Sequence, residues 1–122
     1  MYFIKDTISV SLSTSSTSVV YGSDAYLTAT ITSNVSVSSI TWQKVPSSGS
    51  PIDLLINDVD YTQIPKNVGP GPFTLTIKSV NTDDGGTYQV LVKNAAGKNS
   101  TSNQVSVTVT GGKFTQYIFY TL

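Results

Sequence analysis

Residues that commonly perform catalysis are few in this chain of 122 residues. It contains no Cys, His, Arg or Glu, so its charged side chains are seven Lys and seven Asp. Without the missing types it has no thiolate nucleophile, no histidine base, no guanidinium clamp and no imidazole metal ligand. The motifs Asp-Ser/Thr-Gly, Ser-x-x-Lys and the glycine-rich phosphate loops are absent as well. The sequence therefore predicts a protein that is not an enzyme.

Charge and hydropathy exclude further function classes. The net charge is zero, so no long-range field attracts nucleic acid or an acidic membrane surface. No stretch approaches the roughly 18 apolar residues of a membrane-spanning helix. The N-terminus lacks the apolar run of about 7–15 residues found in a secretory signal. We expect neither a nucleic-acid partner, nor a membrane span, nor export by that route.

A few side chains could bind a metal or carry a glycan. Asp53, Asp58 and Asp60 are hard oxygen ligands close in sequence, as calcium prefers, but a solvated loop explains them better. Asn34 and Asn99 each begin an Asn-x-Ser/Thr sequon, which chance also produces in a chain rich in Ser and Thr. We therefore expect no cofactor and no metal.

The elements that position these side chains are strands. Val, Ile and Thr make up 40 of the 122 residues, and their branched Cβ atoms favour pleated structure. Apolar residues alternate with polar ones, as in Ala25, Leu27 and Ala29, and a period of two indicates a strand with one wet face. Gly-, Pro- and Asn-rich turns separate such runs, and the run 52–64 reads as two short edge strands.

This pattern predicts an all-β, antiparallel β-sandwich of seven to nine strands. We expect its domain to span residues 7–110, with an N-terminal extension at 1–6 and a hydrophobic C-terminal tail at 111–122.

The stretch 75–90, LTIKSVNTDDGGTYQV, resembles the segment joining strands E and F of immunoglobulin-like domains, especially the intermediate set. The consensus sequence of the family in this segment is L-x-I followed by D-x-G-x-Y-x-C. The resemblance implies a tyrosine corner, in which a buried Tyr bonds back to the main chain, and a core tryptophan on strand C. It also includes an Asn-x-x-Gly hairpin at 94–97. The structural core that it implies comprises Ala29, Trp42, Leu75, Asp84, Gly86, Tyr88 and Val90.

Two departures from the family pattern stand out. Ala29 and Val90 occupy the positions of the family's two cysteines, so the disulfide between the sheets is missing. Arginine is also absent, so an ion pair to the corner aspartate Asp84 would need Lys66 or would not form. We expect apolar packing around Trp42 to offset part of the lost cross-link.

Both ends of the chain are apolar. Tyr2-Phe3-Ile4 begins it, and Gly111-Gly112 reads as a hinge before the segment 113–122. A segment of high β-propensity and low charge needs a docking place. It could add a strand to its own sheet, begin a following domain or anchor the domain to a larger assembly. The candidate partner-binding residues are Phe114, Tyr117, Ile118, Phe119 and Tyr120.

The resemblance implies a binding or spacer module. Domains free of Cys, low in charge and rich in Ser, Thr and Val look most like those displayed on bacteriophage particles. We therefore expect a virion-surface accessory protein whose partner is a larger assembly such as a capsid, and which also binds weakly to host glycans or host surfaces. One alternative is an extracellular adhesion or receptor domain. A weaker one is a carbohydrate-binding module that uses an exposed Tyr26 or Tyr61.

Overall fold

The computed structural model describes residues 5–14, 18–69 and 71–111. Within these ranges the chain forms ten strands and one short 3₁₀ helix. The strands are β1 (Ile8–Thr14), β2 (Ser18–Val20), β3 (Ala25–Ser33), β4 (Val37–Val45), β5 (Ile52–Asp53), β6 (Tyr61–Ile64), β7 (Phe73–Ile77), β8 (Gly86–Asn94), β9 (Asn99–Thr101) and β10 (Val105–Thr110), with the helix at Thr82–Asp84 before β8.

The strands make two sheets. One has four strands in the order β1-β3-β7-β6, and the other has six, in the order β2-β10-β8-β4-β5 with β9 also paired to β8. This arrangement confirms the all-β sandwich. The ten strands exceed the expected seven to nine because several are short segments. β2 has three residues and β5 has two, and β9 and β10 are separate strands. One pair departs from the antiparallel expectation, since β2 runs parallel to β10.

The core lies between the sheets and follows the alternation in the sequence. On β3 the side chains of Ala25, Leu27 and Ala29 are buried, whereas Tyr26 is exposed and Thr28 half-buried between them. The large side chains Trp42, Phe73 and Tyr88 are completely buried and fill the centre of the core. The run 52–64 contributes β5 at one edge of the six-stranded sheet and β6 at one edge of the four-stranded sheet, as its sequence predicts.

Residues 102–104 interrupt the last strand and fasten the edge strand β1. The Ser102 N–H donates to the Val90 carbonyl at 2.9 Å, while its hydroxyl accepts from the Val90 N–H at 3.0 Å. The next side chain, Asn103, turns towards the other sheet. Its Oδ1 accepts from the Leu12 N–H and its Nδ2 donates to the Leu12 carbonyl, both at 2.9 Å. This amide takes the place of a neighbouring strand for Leu12.

Asn94, the last residue of β8, organises the hairpin that follows this strand. Its side chain is 1% exposed, and its Oδ1 accepts from the N–H groups of Ala96 and Lys98 across the hairpin, each at 3.0 Å. Its Nδ2 donates to the Ser33 hydroxyl at 3.2 Å, which joins this hairpin to the end of β3. The Asn-x-x-Gly signature thus marks a hairpin whose first residue is a buried structural amide.

Candidate functional site

The tyrosine corner lies where the 3₁₀ helix meets β8. The Tyr88 hydroxyl donates to the Asp84 carbonyl at 2.5 Å. Asn81 caps the helix, since its Oδ1 accepts from the Asp83 N–H at 2.8 Å while its own N–H donates to Asp84 Oδ2 at 2.9 Å. The Asp84 carboxylate therefore serves the turn. Gly86 adopts a φ of 143°, which a residue with a Cβ rarely takes.

A lysine approaches this corner, but it is not the expected one. Lys44 Nζ donates to the Asp83 carbonyl and lies 5.8 Å from the centroid of the Tyr88 ring. Lys66 instead offers its backbone carbonyl to Gln63 Nε2 at 3.3 Å. The register pairs Lys44 with Tyr88 on neighbouring strands, which explains its position beside the ring.

Both tyrosines near the corner hold their protons tightly. Burial raises the pKa of Tyr88, and the neighbouring Tyr61 and Asp84 raise it further. The pKa of Tyr61 is raised first by burial and then by the charges of Asp84 and Asp60. A phenol of ordinary pKa is already neutral at pH 7, and the upward shift of both pKa values makes ionisation harder still, so neither tyrosine is activated as a nucleophile or base. The hydrogen bonds and buried phenol rings at the corner therefore stabilise the fold.

The other residues that the sequence predicts for the structural core also stabilise the fold. Ala29, Trp42, Leu75, Tyr88 and Val90 are all fully buried. Trp42 and Val90 are register partners on β4 and β8. By contrast, Asp84 is half-buried and Gly86 is exposed, because these two shape the turn that leads into β8 instead of filling space between the sheets. None of the five buried side chains is positioned to contact a ligand.

Sequence reasoning missed the polar residue that contacts the tryptophan. Gln63 is 5% exposed, and its Oε1 accepts from Trp42 Nε1 at 2.7 Å. Its Nε2 donates to the carbonyls of Pro65, at 2.9 Å, and Lys66. The available signal was its position two residues after Tyr61 on a strand, where alternate side chains face the same way.

The outer face of the six-stranded sheet carries a chain of hydrogen-bonded amides. Gln104 Nε2 donates to Gln89 Oε1 at 3.3 Å, Gln89 Nε2 donates to Gln43 Oε1 at 2.8 Å, and Gln43 Nε2 donates to Asp53 Oδ1 at 2.8 Å. The bonds all run in one direction and end on a carboxylate, so each amide polarises the next. These bonds join residues of β4, β5 and β8 and the segment before β10 on this face.

The side chains proposed as metal ligands or glycan acceptors are scattered. Within the described ranges no three acidic side chains gather as a metal site would require. The Asp53 carboxylate is bonded to Gln43, while Asp58 and Asp60 are exposed in the loop before β6. Both sequon asparagines are exposed, but Asn34 already uses its Nδ2 to donate to the Lys5 carbonyl at 3.1 Å.

A cleft lies at the end of the sandwich where β3 turns into β4. Its volume is about 760 Å³, within the range of small-molecule sites. Ile31, Val35, Val37 and Val68 give it apolar walls, and Gly71 lies against it. A Cβ added to Gly71 would meet the Phe73 ring at 2.8 Å, so the glycine is needed for packing.

The two tyrosines considered for sugar binding differ in exposure. Tyr26 is 45% exposed on the outer face of the four-stranded sheet. Tyr61 is half-buried and packs against the core, so its ring is not a free platform. Only Tyr26 keeps the accessibility that the carbohydrate hypothesis needs.

The tail residues Phe114, Tyr117, Ile118, Phe119 and Tyr120 lie outside the described residues. The described chain ends at Gly111, where the Tyr21 N–H donates to the Thr110 carbonyl at 2.8 Å. Val20, which is 61% exposed, lies beside Gly111. An exposed apolar spot therefore marks the point where the chain enters the tail.

The two sheets, the core tryptophan and the tyrosine corner together define an immunoglobulin-like β-sandwich, a class of binding and structural modules. The family model of the immunoglobulin I-set domain matches residues 8–107, and the chain belongs to that family. No curated protein matches the chain. Among the described residues, no helix is long and apolar enough to span a membrane.

Proposed function

We propose that this protein is a non-enzymatic accessory module on the surface of a larger protein assembly, such as a bacteriophage capsid. In this proposal residues 113–122 anchor the module and the sandwich is displayed outward. The observation that carries it is the aromatic tail, which follows directly on an exposed apolar spot at one end of a domain with zero net charge and no cysteine. Aromatic side chains are the usual anchors of protein interfaces.

The described chain ends at Gly111, and the position of this residue supports anchoring through one end of the sandwich. Val20 and Tyr21 are 61% and 36% exposed and adjoin the end of β10. An anchor that starts there can extend the apolar surface already present. The hairpin at Asn94 lies at the C-terminal end of β8, and the cleft lies at the C-terminal end of β3. Both are the ends of these strands that lie away from the attachment point. The proposal therefore assigns attachment to one end of the sandwich and leaves the other end exposed.

Incorporation into particles tests the proposal. The tagged full chain is expressed in the organism that produces the assembly, and sedimented particles are probed for it. A second sample lacks Lys113–Leu122, and a control carries Val68→Ser, which changes an apolar side chain that is 41% exposed and lines the cleft at the other end of the sandwich. We expect the truncated chain to fold but to be lost from particles, and the control to be retained. Unchanged incorporation of the truncated chain would overturn the anchor.

An extracellular adhesion or receptor domain is the second candidate. The exposed Asn99 sequon at the start of β9 favours it. Expression through a eukaryotic secretory pathway tests this candidate by the mass of attached glycan. Efficient glycosylation at Asn99 favours the adhesion role, and its absence favours the proposed accessory role.

A further inference from the structure

The outer face of the four-stranded sheet has an unusual composition. Alternation and register place eleven side chains on it, and ten of them carry a hydroxyl group. None of the eleven is charged. We name this surface the hydroxyl face; its residues are Ser9, Ser11, Ser13, Tyr26, Thr28, Thr30, Thr32, Thr62, Ile64, Thr74 and Thr76.

The hydroxyls are arranged in rows across the strands. One row runs through Ser13, Thr28 and Thr74 and ends at Ile64, which has no hydroxyl; each residue is the register partner of the next. Thr28 Oγ1 and Thr74 Oγ1 are 3.4 Å apart. Register partners in a sheet have Cβ atoms about 4.5–5.5 Å apart, and residues two apart along a strand are separated by about 6.6 Å. The face is therefore a regular lattice of small groups that can both donate and accept hydrogen bonds.

An aromatic ring stands beside this lattice. Tyr26 is 45% exposed, and its register partner Thr76 is only 9% exposed because Tyr26 and Thr62 flank it. At the sheet edge Ile64 is 66% exposed. The face thus combines an exposed ring, threonine methyl groups and hydroxyls, but it has no charged group.

This chemistry disfavours two classes of partner. Nucleic acid and acidic glycans need Lys or Arg to neutralise their charge, and the face has neither. Stable protein interfaces need a buried cluster of large apolar or Arg anchors, and Tyr26 and Ile64 stand at different strands with threonines between them. Pairing with another strand at β1 is also hindered, because Asn103 already bonds both backbone groups of Leu12.

We infer that the hydroxyl face binds a neutral polysaccharide. Sugar hydroxyls exchange hydrogen bonds with the Ser and Thr hydroxyls, and the C–H face of a sugar ring packs on Tyr26 and the threonine methyl groups. The inference rests on the proposed function, since a module anchored near Gly111 leaves the outer face of this sheet free. Binding to each sugar unit is weak, and many copies on one assembly raise the total strength through multivalency.

Affinity electrophoresis of the full chain tests this inference without any particle. Native gels contain one neutral polysaccharide each, namely dextran, laminarin or hydroxyethyl cellulose, and a parallel gel contains the acidic polysaccharide alginate. We expect retardation in at least one neutral gel and none in alginate. Thr30→Lys and Tyr26→Ala each lower the association constant at least tenfold, because one adds a bulky charge to the lattice and the other removes the ring.

The matched control is Thr101→Lys, which places the same charge on an exposed strand position of the other sheet. It keeps full retardation relative to its own mobility in a gel without polysaccharide. Near-ultraviolet circular dichroism verifies that each variant is folded; if Tyr26→Ala is not, Thr30→Lys decides. Lack of retardation in all neutral gels, equal loss in Thr101→Lys, or preference for alginate overturns the inference. Because no assembly is involved, such a failure leaves the proposed anchoring role intact.

Discussion

The indole Nε1 of Trp42 donates a hydrogen bond of 2.7 Å to Gln63 Oε1 across the interior of the sandwich. Trp42 lies on the six-stranded sheet and Gln63 on the four-stranded sheet, so the bond links the two layers. Both side chains are buried, at 0% and 5% exposure. In a domain without an inter-sheet disulfide, this polar contact and the apolar core provide the connection that a covalent bridge supplies elsewhere.

Removal of the acceptor should therefore be costly. We expect Gln63→Met to lower the free energy of unfolding by about 1–3 kcal/mol, because it leaves the indole N–H buried without a partner. Urea denaturation followed by Trp fluorescence measures the change. The matched control is Gln104→Met on the exposed amide chain, for which we expect a loss of less than about 0.5 kcal/mol. Equal effects in the two variants would contradict the importance of the inter-sheet bond.

The side chain of Asn103 should protect the edge of β1. We expect Asn103→Ala to lower stability by about 1–2 kcal/mol, because two hydrogen bonds to the Leu12 backbone are lost. The freed edge should also increase self-association, which sedimentation velocity detects as dimers or larger species. Asn99→Ala on the neighbouring strand is the control. A variant at position 103 that stays monomeric and keeps its stability would show that the edge needs no such cover.

The sequence predicts those parts of the fold in which the interacting residues are close together along the chain. The alternation on β3 and the corner motif around Tyr88 are local patterns, and each predicted its element correctly. Gln63 and Lys44 find their partners through the register of strands far apart in the chain. A single sequence does not fix that register, so it did not identify Lys44 and left only the alternatives of Lys66 or no ion pair at the corner.

The same reasoning applies to the surfaces. The short parallel strand β2 has three residues, too few to show a period. The exposed Tyr26 was a sequence-based candidate, but its neighbours on the hydroxyl face come from four strands and needed the register to be seen together. The tail residues lie outside the described part of the chain, so their anchoring role stays a prediction.

The missing disulfide suggests an engineering test of the framework. In the double variant Ala29→Cys with Val90→Cys, we expect a bond to form because both residues occupy the family's cysteine positions and both are fully buried. Closing a loop between positions 29 and 90 should stabilise the domain by about 4 kcal/mol in the chain-entropy model. Thiol titration and urea denaturation, with and without reductant, measure the result. The single variant Ala29→Cys is the control, and thiols that stay free in the double variant would show that the two positions do not face each other.

Titration of the tyrosine corner gives the domain a defined response to alkali. Burial favours the neutral phenol, so the pKa of Tyr88 in the folded state lies above its unfolded value of 10.0, and that of Tyr61 is raised as well. The stabilisation from these two groups is complete below pH 10.0 and is lost as the pH rises towards the folded values, because the unfolded chain then releases protons first. Each group contributes a slope of up to about 1.4 kcal/mol per pH unit.

We expect Tyr88→Phe to change two quantities that a loss of packing alone would not change together. At pH 7 it lowers stability by about 1 kcal/mol, because the hydrogen bond to the Asp84 carbonyl is lost. Above pH 10.0 it flattens the decline in stability, because one titrating group is gone. Urea denaturation from pH 7 to pH 11 measures both. Tyr61→Phe serves as the control, since it also flattens the slope but keeps the corner bond and therefore loses less at pH 7. If the alkaline slope of Tyr88→Phe equals that of the wild-type protein, Tyr88 is not the group whose ionisation unfolds the corner.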